Sequence, residues 1–302
     1  MLSLPEFSRQ LGDDLFVLVS SVNASLVEVT PLSGVGYPGY QPSAFRFQFT
    51  DGRILKGRQF GSTARAATVE YVLQCLDHHG FPKLLARSGR ALLTEWVEGQ
   101  PLDPAGCNPE LLRQCGALQG FMHHVSVPHD SPYQPRDTIQ DWHARLEHNL
   151  DELAEARVLE KHEARRAFEL AARYAPSSYA VGFVHRDFCA ENLVLRPSRD
   201  ICVIDDETLA IDAYDYDLGR TWYRWPMSPL QREAYFDGYH CYRSSKDFLV
   251  HFPYWGIAAV VGAAVFRLQK QTGAASVPVK RLRALLHDLE QGVSAGGAVF
   301  RS

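Results

Sequence analysis

Three polar side chains in the segment GFVHRDFCAENLVLRPSRDICVIDDE, residues 182–207, have the types and the order that a metal-assisted reaction of a phosphate requires. Asp187 ends a His-x-Asp pattern and can accept the proton of an attacking hydroxyl group. Asn192 stands five residues later, and Asp205 follows a short apolar run. Amide and carboxylate oxygens are ligands that suit Mg²⁺. The segment therefore predicts a catalytic base followed by two magnesium ligands.

The residues between Asn192 and Asp205 predict how the two can come together. Two short apolar stretches, 193–195 and 201–204, flank a turn at residues 197–200. Two antiparallel strands joined by a turn bring their outer ends side by side. The sequence thus predicts a hairpin with Asn192 and Asp205 at adjacent ends.

A candidate phosphate-binding cation lies far upstream. Lys56 is the only lysine among the first 82 residues, and a compact ammonium group is suited to neutralising a phosphate. Glu70 follows 14 residues later and is expected to pair with Lys56, although two unrelated surface residues are the alternative interpretation. Gly34 and Gly36 precede this strand and could bring backbone N–H groups close to phosphate oxygens, but an ordinary glycine turn explains them as well.

The elements that must position these residues change character along the chain. Phe45, Phe47 and Phe49 alternate with polar neighbours, which predicts a strand, and Asp51-Gly52 predicts a hairpin turn into a return strand at 53–60. A helix opened by a Ser/Thr cap and closed by Gly80 should follow.

Beyond Gly99 the pattern turns mainly helical. Residues 137–175 predict two amphipathic helices, and helices resume from about Pro229. We therefore predict an α+β, bilobal fold, with a small β-rich nucleotide-binding lobe at 1–98 and a larger helical catalytic and acceptor-binding lobe at 99–302. The linker between the lobes would place a cleft near residues 95–101.

Composition and charge narrow the class of protein. A formal charge of −4 and a pI near 6.3 give no reason to expect nucleic acid or an anionic membrane as partner. The apolar run 252–266 is shorter than the roughly 20 residues of a membrane span, so a buried core helix is expected. Six scattered cysteines without Cys-x-x-Cys spacing indicate reduced thiols and a cytoplasmic protein. The sequence leaves the oligomeric state open.

Several segments taken in order resemble one family. The pattern His185-x-Asp187-x4-Asn192 followed by VIDDE, with Lys56 and Glu70 upstream, resembles the aminoglycoside phosphotransferase and choline kinase family. The segment LLTEWVEGQPL is similar to that family's linker between lobes, and AYDYDLGR is similar to its Tyr-x-Asp-Leu segment. The resemblance covers about residues 30–225.

The resemblance implies a protein-kinase-like fold that binds ATP and Mg²⁺ and moves the γ-phosphoryl group to a hydroxyl of a small molecule. Lys56 would contact the α- and β-phosphates and Glu70 would hold Lys56. Asp187 would be the base, and Asn192 and Asp205 would bind Mg²⁺. The backbone at Glu95, Trp96 and Val97 would bind the adenine edge.

Some features depart from the family pattern or leave alternatives open. Arg186 stands where small-molecule kinases usually have glycine, and Asp206-Glu207 could bind a second ion or be solvated. Nine acidic and two basic residues lie between positions 187 and 217, which favours a cationic acceptor such as an amino sugar or amino alcohol, unless these charges only solvate a surface. The doublet His123-His124 is interpreted as helix-end and interlobe residues. A catalytically weak nucleotide-binding regulatory protein is the second hypothesis, ahead of a protein kinase.

Overall fold

The computed structural model describes residues 11–32, 43–133, 137–270 and 275–300, and the chain divides into two compact units. The first unit comprises Met1–Pro101 and Leu193–Ala210. The second comprises Leu102–Asn192 and Ile211–Ser302. The lobe boundary near residue 98 stays a prediction. The compact units differ from the predicted lobes in that the segment 193–210 belongs to the first unit.

The first unit is built on a five-stranded antiparallel sheet. Its elements in chain order are helix α1 (Asp13–Ser20), β1 (Leu26–Pro31), β2 (Ala44–Phe49), β3 (Ile54–Gln59), α2 (Thr63–Leu76), β4 (Leu84–Ser88) and β5 (Ala91–Glu95). The strand order is β1-β2-β3-β5-β4. Phe45, Phe47 and Phe49 enter the core, which confirms the predicted strand. Its register with β3 places Phe47 opposite Leu55 and Arg46 opposite Lys56.

Local signals account for the turns and caps of this unit. Gly52 has φ +85°, a left-handed conformation that favours glycine, and its N–H donates to the carbonyl of Phe49. The predicted turn at Asp51-Gly52 is therefore present. Ser62 caps α2 by accepting from the backbone N–H of Arg65. The helix ends at Leu76, four residues before the glycine that was expected to close it.

A small three-stranded sheet completes the first unit. It contains β6 (Gln100–Pro101), β8 (Leu193–Leu195) and β9 (Ile201–Val203), in the order β6-β8-β9. Strands β8 and β9 are antiparallel, with Leu193 opposite Val203. The predicted hairpin is confirmed, and Asp205 follows its second strand.

The second unit is mostly helical and has its own core. It contains α3 (Pro109–His124), α4 (Ile139–Glu155), α5 (Lys161–Arg173), β7 (Val181–Val184), a 3₁₀ turn (Ala190–Asn192), β10 (Ala210–Ala213), α6 (Tyr214–Arg224), α7 (Pro229–Tyr239), α8 (Lys246–Gln269), α9 (Ser276–Glu290) and α10 (Ala295–Val299). Strand β7 pairs with β10. The two helices expected at 137–175 are α4 and α5, whereas α6 begins well before the predicted restart at Pro229.

Helix α8 forms the centre of the second unit. It is long and apolar enough to cross a membrane by length and composition alone, yet 78% of its most apolar 18-residue window is buried inside the protein. Phe252, Trp255 and Val260 are fully buried in the cluster that joins α8 to its neighbouring helices. The structure therefore uses this segment as the core helix that its small and apolar residues predicted.

Candidate active site

Lys56 lies on β3 with its ammonium group buried against the end of the β8–β9 hairpin. Its Nζ donates to the carbonyl of Ile204 at 2.5 Å and to Asp206 Oδ1 at 2.9 Å. Burial by itself would raise the pKa of Asp206, but the positive charges of Lys56 and Arg58 lower it below its usual value. The Asp206 carboxylate is therefore ionised and balances the buried cation.

The predicted pair of Lys56 with Glu70 is not formed, and this prediction was wrong. Glu70 on α2 accepts from Arg87 Nε of strand β4 at 2.5 Å, and α2 packs against β4. The partner of Lys56 is instead Asp206, 150 residues away in sequence. The physical reason is that an acid directly beyond β9 meets the ammonium group inside the protein, whereas Glu70 has its own cation close by.

Arg58 is a member of this cluster that sequence reasoning missed. It lies two residues after Lys56 on the same strand, so both side chains project from one face. Its Nη2 donates to Asp205 Oδ1 at 2.9 Å, its Nη1 donates to Glu207, and its Nε lies 3.3 Å from Asp206 Oδ1. The i, i+2 spacing of Lys56 and Arg58 on a predicted strand was the available signal.

Two predicted nucleotide-binding segments are the linker at residues 95–97 and the loop with Gly34 and Gly36. The N–H of Glu95 donates to the carbonyl of Lys83, and the N–H of Trp96 donates to the carbonyl of Ile54. Glu95 also accepts from Arg196 Nη2 at 3.4 Å. Val97 continues the chain towards β6. The predicted phosphate-contacting residues Gly34 and Gly36 lie outside the described residues.

In the second unit, Asp187 occupies the loop between β7 and the 3₁₀ turn. Asn192 Nδ2 donates to the Asp187 carbonyl at 2.8 Å and to its Oδ2 at 3.1 Å. Since the NH₂ group of Asn192 faces Asp187, its amide oxygen is the atom that could ligate a metal. The side chain of Asp187 is 21% exposed, so solvent and a small molecule can reach it.

Two arginines of α6 also contact Asp187, and sequence reasoning missed both. Arg224 Nε donates to Asp187 Oδ1 at 2.8 Å, and Arg220 Nη2 donates to the same oxygen at 3.3 Å. Burial would lower the pKa of Arg224, but the charge and hydrogen bond of Asp187, together with the neighbouring Cys189 and Glu191, raise that pKa above its usual value. The spacing of four residues on one helix places both guanidinium groups on one side of α6.

A buried carboxylate holds the backbone of the loop that carries Asp187. Asp217 Oδ1 accepts from the N–H of Arg186 at 2.5 Å, and Asp217 Oδ2 accepts from the N–H of His185 at 3.4 Å. Burial would raise the pKa of Asp217, but its bond with His123 lowers it. Asp217 therefore braces the loop through the backbone at His185 and Arg186.

His123 lies in the last turn of α3, which confirms its predicted helix-end position, but it is a core residue rather than an interlobe one. It is fully buried, with Nε2 2.9 Å from Asp217 Oδ2 and Nδ1 2.9 Å from the hydroxyl of Tyr239. Burial lowers the pKa of His123, although Asp217 acts in the opposite direction. The residue is thus a core member of the network that braces the loop, because the helix turns this position inward, whereas His124 is exposed.

The acidic run between positions 187 and 217 is largely neutralised within the protein. Six of its nine acids form ion pairs with lysine or arginine: Asp187, Glu191, Asp205, Asp206, Glu207 and Asp212. The charge argument for a cationic acceptor therefore loses its basis. Asp206 is buried and pairs with Lys56 and Arg58, whereas Glu207 pairs with Arg58 and remains exposed, as the solvated alternative predicted.

Each compact unit offers an oxygen atom of the kind that a hard divalent cation prefers. Among the described residues, no group of three or more His, Cys, Asp or Glu side chains is arranged to hold a metal by itself. Asp205 is 29% exposed and Asn192 presents an amide oxygen. Mg²⁺ commonly takes one or two protein oxygens and completes its coordination with water and phosphate. The carboxylate of Asp205 and the amide oxygen of Asn192 are each of a type that such an ion accepts.

Comparisons with solved structures show a shared fold. The fold is similar to that of choline kinase LicA from Streptococcus pneumoniae, with a TM-score of 0.67 and 15% identity over 90% of this chain and 97% of that chain. It is similar to an aminoglycoside phosphotransferase from Alicyclobacillus acidocaldarius, with a TM-score of 0.59 and 15% identity over 91% and 94% of the two chains. For amicoumacin kinase hAmiN, in complex with AMP-PNP, Ca²⁺ and Ami, the TM-score is 0.64 at 13% identity over 97% of both chains.

These neighbours share the bilobal protein-kinase-like fold, which confirms the predicted fold class. No curated protein matches the chain by sequence. A family model described as the phosphotransferase enzyme family matches residues 38–249, well over half of the chain. The loop around Asp187, the buried Lys56 and the acid-ended hairpin all lie within that match, and the chain belongs to the phosphotransferase enzyme family.

Proposed function

We propose that the protein transfers the γ-phosphoryl group of ATP to a hydroxyl group of a small molecule, with Mg²⁺, in the cytoplasm. The observation that carries the proposal is the braced catalytic loop, in which Asp187 is partly exposed, contacts Asn192 and follows two backbone N–H groups held by Asp217. Free thiols at all six cysteines are compatible with a reducing compartment.

Each residue has a defined part in the proposed reaction. Lys56 binds the α- and β-phosphates, and Val97 supplies a backbone group to the adenine. Asp205 and Asn192 are the metal ligands, and the bound ion would shield the phosphate charges. The oxygen of the acceptor hydroxyl bonds to the γ-phosphorus while the bridging P–O bond breaks and ADP leaves. Asp187 accepts the proton of that hydroxyl.

The proposed acceptor is an amino alcohol or an amino sugar. This choice is supported by the names of structural neighbours, which include choline, ethanolamine and aminoglycoside kinases. The acidic run gives it no support, since most of those carboxylates are paired. An acceptor panel should therefore contain neutral and acidic alcohols beside the amines.

A second candidate function is a nucleotide-binding regulatory protein with weak or no transfer activity. One observation favours it: the carboxylates of both Asp187 and Asp205 already have arginine partners. Under this alternative the protein would bind Mg·ATP without passing phosphate to any acceptor.

Asp187→Asn tests the transfer reaction. We expect wild type to release ADP with at least one member of the panel, and the variant to lose about 10²–10⁴-fold in turnover because the base is absent. Fluorescent nucleotide binding should stay within twofold, as a measure of an intact site. Asp151→Asn, an exposed position on α4, is the matched control and should keep full turnover.

The outcomes separate the two functions. Nucleotide binding by wild type without transfer from either ATP or GTP would favour the regulatory protein. Failure of wild type to bind either nucleotide at millimolar concentration with Mg²⁺ would contradict both.

A further inference from the structure

Arg58 is buried and paired with acids at the proposed site, yet the transfer reaction described above gives it no part. Only 8% of the residue is exposed, and its three guanidinium nitrogens face the three successive acids that follow β9. A guanidinium fork fits carboxylates and phosphates with the same bidentate geometry. The guanidinium group of Arg58, which faces Asp205, Asp206 and Glu207, can therefore also bind a polyphosphate.

Arg58 also shares its position with the proposed phosphate-binding lysine. Lys56 and Arg58 stand at i and i+2 of β3, and both meet Asp206. Two buried cations face three carboxylates: Asp205, Asp206 and Glu207. The cluster thus carries one more negative than positive charge, which is a favourable setting for a divalent cation but leaves Arg58 in competition for Asp205.

The competition follows from the shared oxygen. Asp205 Oδ1 accepts from Arg58 Nη2 at 2.9 Å, and Asp205 is the proposed ligand of Mg²⁺. A divalent ion bound by that carboxylate repels the adjacent guanidinium group. Arg58 then needs another anionic partner, and the phosphates that accompany the ion supply one.

We propose that Arg58 is a second phosphate-binding residue, which exchanges Asp205 and Glu207 for a nucleotide phosphate when Asp205 binds the metal. The inference rests on the proposed function and concerns the same site. Its consequence is that Arg58 opposes binding of the bare metal ion but favours binding of the metal–nucleotide complex. A residue that only supports the local structure would not act in opposite directions on these two ligands.

Arg58→Gln tests the opposite signs directly. We expect the variant to bind Mn²⁺ alone more tightly than wild type, measured by electron paramagnetic resonance, because the competing guanidinium is gone. We expect its affinity for AMP-PNP with Mg²⁺ to fall about 10-fold or more, measured by calorimetry, because a charged hydrogen bond to phosphate is lost. Affinity for adenosine should not change. Arg53→Gln, which removes an exposed arginine paired with Asp51, is the matched control.

Glu207→Gln provides a second test that does not depend on how the first variant folds. Glu207 is 47% exposed and holds Arg58 without contacting Lys56. Weakening the ion pair between Glu207 and Arg58 should increase the affinity for AMP-PNP with Mg²⁺, since Arg58 then loses a weaker interaction when it binds the phosphate. Unchanged or weaker nucleotide binding by this variant would overturn the proposal.

The binding measurements distinguish failure of this proposal from failure of the proposed function. If wild type binds AMP-PNP and Arg58→Gln binds it equally well, or loses Mn²⁺ and nucleotide affinity together, only the role of Arg58 is refuted. If wild type binds no AMP-PNP, the phosphotransferase function fails first and the role of Arg58 fails with it.

Discussion

Arg186 and Asp217 show how single residues shape the loop that carries Asp187. Arg186 has φ +61°, a left-handed conformation that costs a residue with a side chain about 1–2 kcal/mol. Its N–H donates to Asp217 and its guanidinium pairs with Asp212. These two contacts offset the strain, which explains how arginine is tolerated where the family resemblance led us to expect glycine.

The carboxyl group of Asp215 makes the stability of the folded state depend on pH. Burial, together with the negative charge of Asp247, raises the pKa of Asp215 to about 6, above its ordinary value of 3.8. The folded state therefore holds this proton more tightly than the unfolded chain does. The carboxyl stabilises the folded state below pH 4 relative to pH 7, and this advantage is lost as the pH rises through about 6.

We expect Asp215→Asn to raise the free energy of unfolding by about 1–3 kcal/mol at pH 7.5, since the amide cannot ionise. At pH 4 the variant and wild type should be nearly equal. Urea denaturation at the two pH values measures the difference. A gain that is larger at pH 4 than at pH 7.5 would refute the assignment.

At the scale of elements, the crossing of α3 and α7 depends on close backbone approach. A Cβ atom on Gly116 would lie 1.9 Å from the carbonyl oxygen of Tyr235, and one on Gly238 would lie 1.9 Å from that of Arg113. Helix α3 also carries Gln119 and His123, whose side chains bind Asp217. The packing of this helix pair therefore determines the position of the side chains that hold Asp217 and, through it, the loop around Asp187.

Gly116→Ala should destabilise the protein by at least about 2 kcal/mol, because a backbone atom of α7 must move to make room for the methyl group. Urea denaturation measures the loss, and far-ultraviolet circular dichroism checks that helix content is kept. Gly61→Ala is the control, as no atom of the described residues lies within 4 Å of the added Cβ. Equal stability of the two variants would contradict the close crossing.

At the scale of the whole molecule, the first compact unit is not continuous in sequence. Residues Leu193–Ala210 join it after more than 90 intervening residues that belong to the other unit. This segment pairs with β6 and supplies Asp206 to Lys56 and Arg58. The two buried cations are thus balanced only when both parts of the chain are present.

A fragment of residues 1–101 is therefore expected not to fold cooperatively. Removing the partner of a buried charge costs about 3–5 kcal/mol, and the fragment leaves two such cations without Asp205, Asp206 and Glu207. Its urea transition, followed by tryptophan fluorescence, should be broad or absent. Linking residues 193–210 to the fragment should restore a cooperative transition. A sharp transition of the fragment alone would contradict this account.

Much of the fold could be predicted because its signals are local. The alternating phenylalanines of β2, the Asp51-Gly52 turn, the β8–β9 hairpin and the amphipathic helices α4 and α5 each follow from neighbouring residues. Helix α6 was not predicted as such, although its buried residues Tyr214, Leu218 and Trp222 recur every four residues and were an available helical signal.

The sequence by itself determined the fold class, the family resemblance and the residues around Asp187, because these depend on residue types at short, fixed spacings. Only the tertiary structure decided which charges are partners. Lys56 pairs with Asp206, Glu70 with Arg87, and Arg58 with three acids about 150 residues away. An ion pair forms between groups that the packed chain brings together, and a pattern of neighbouring residues carries no information about that distance.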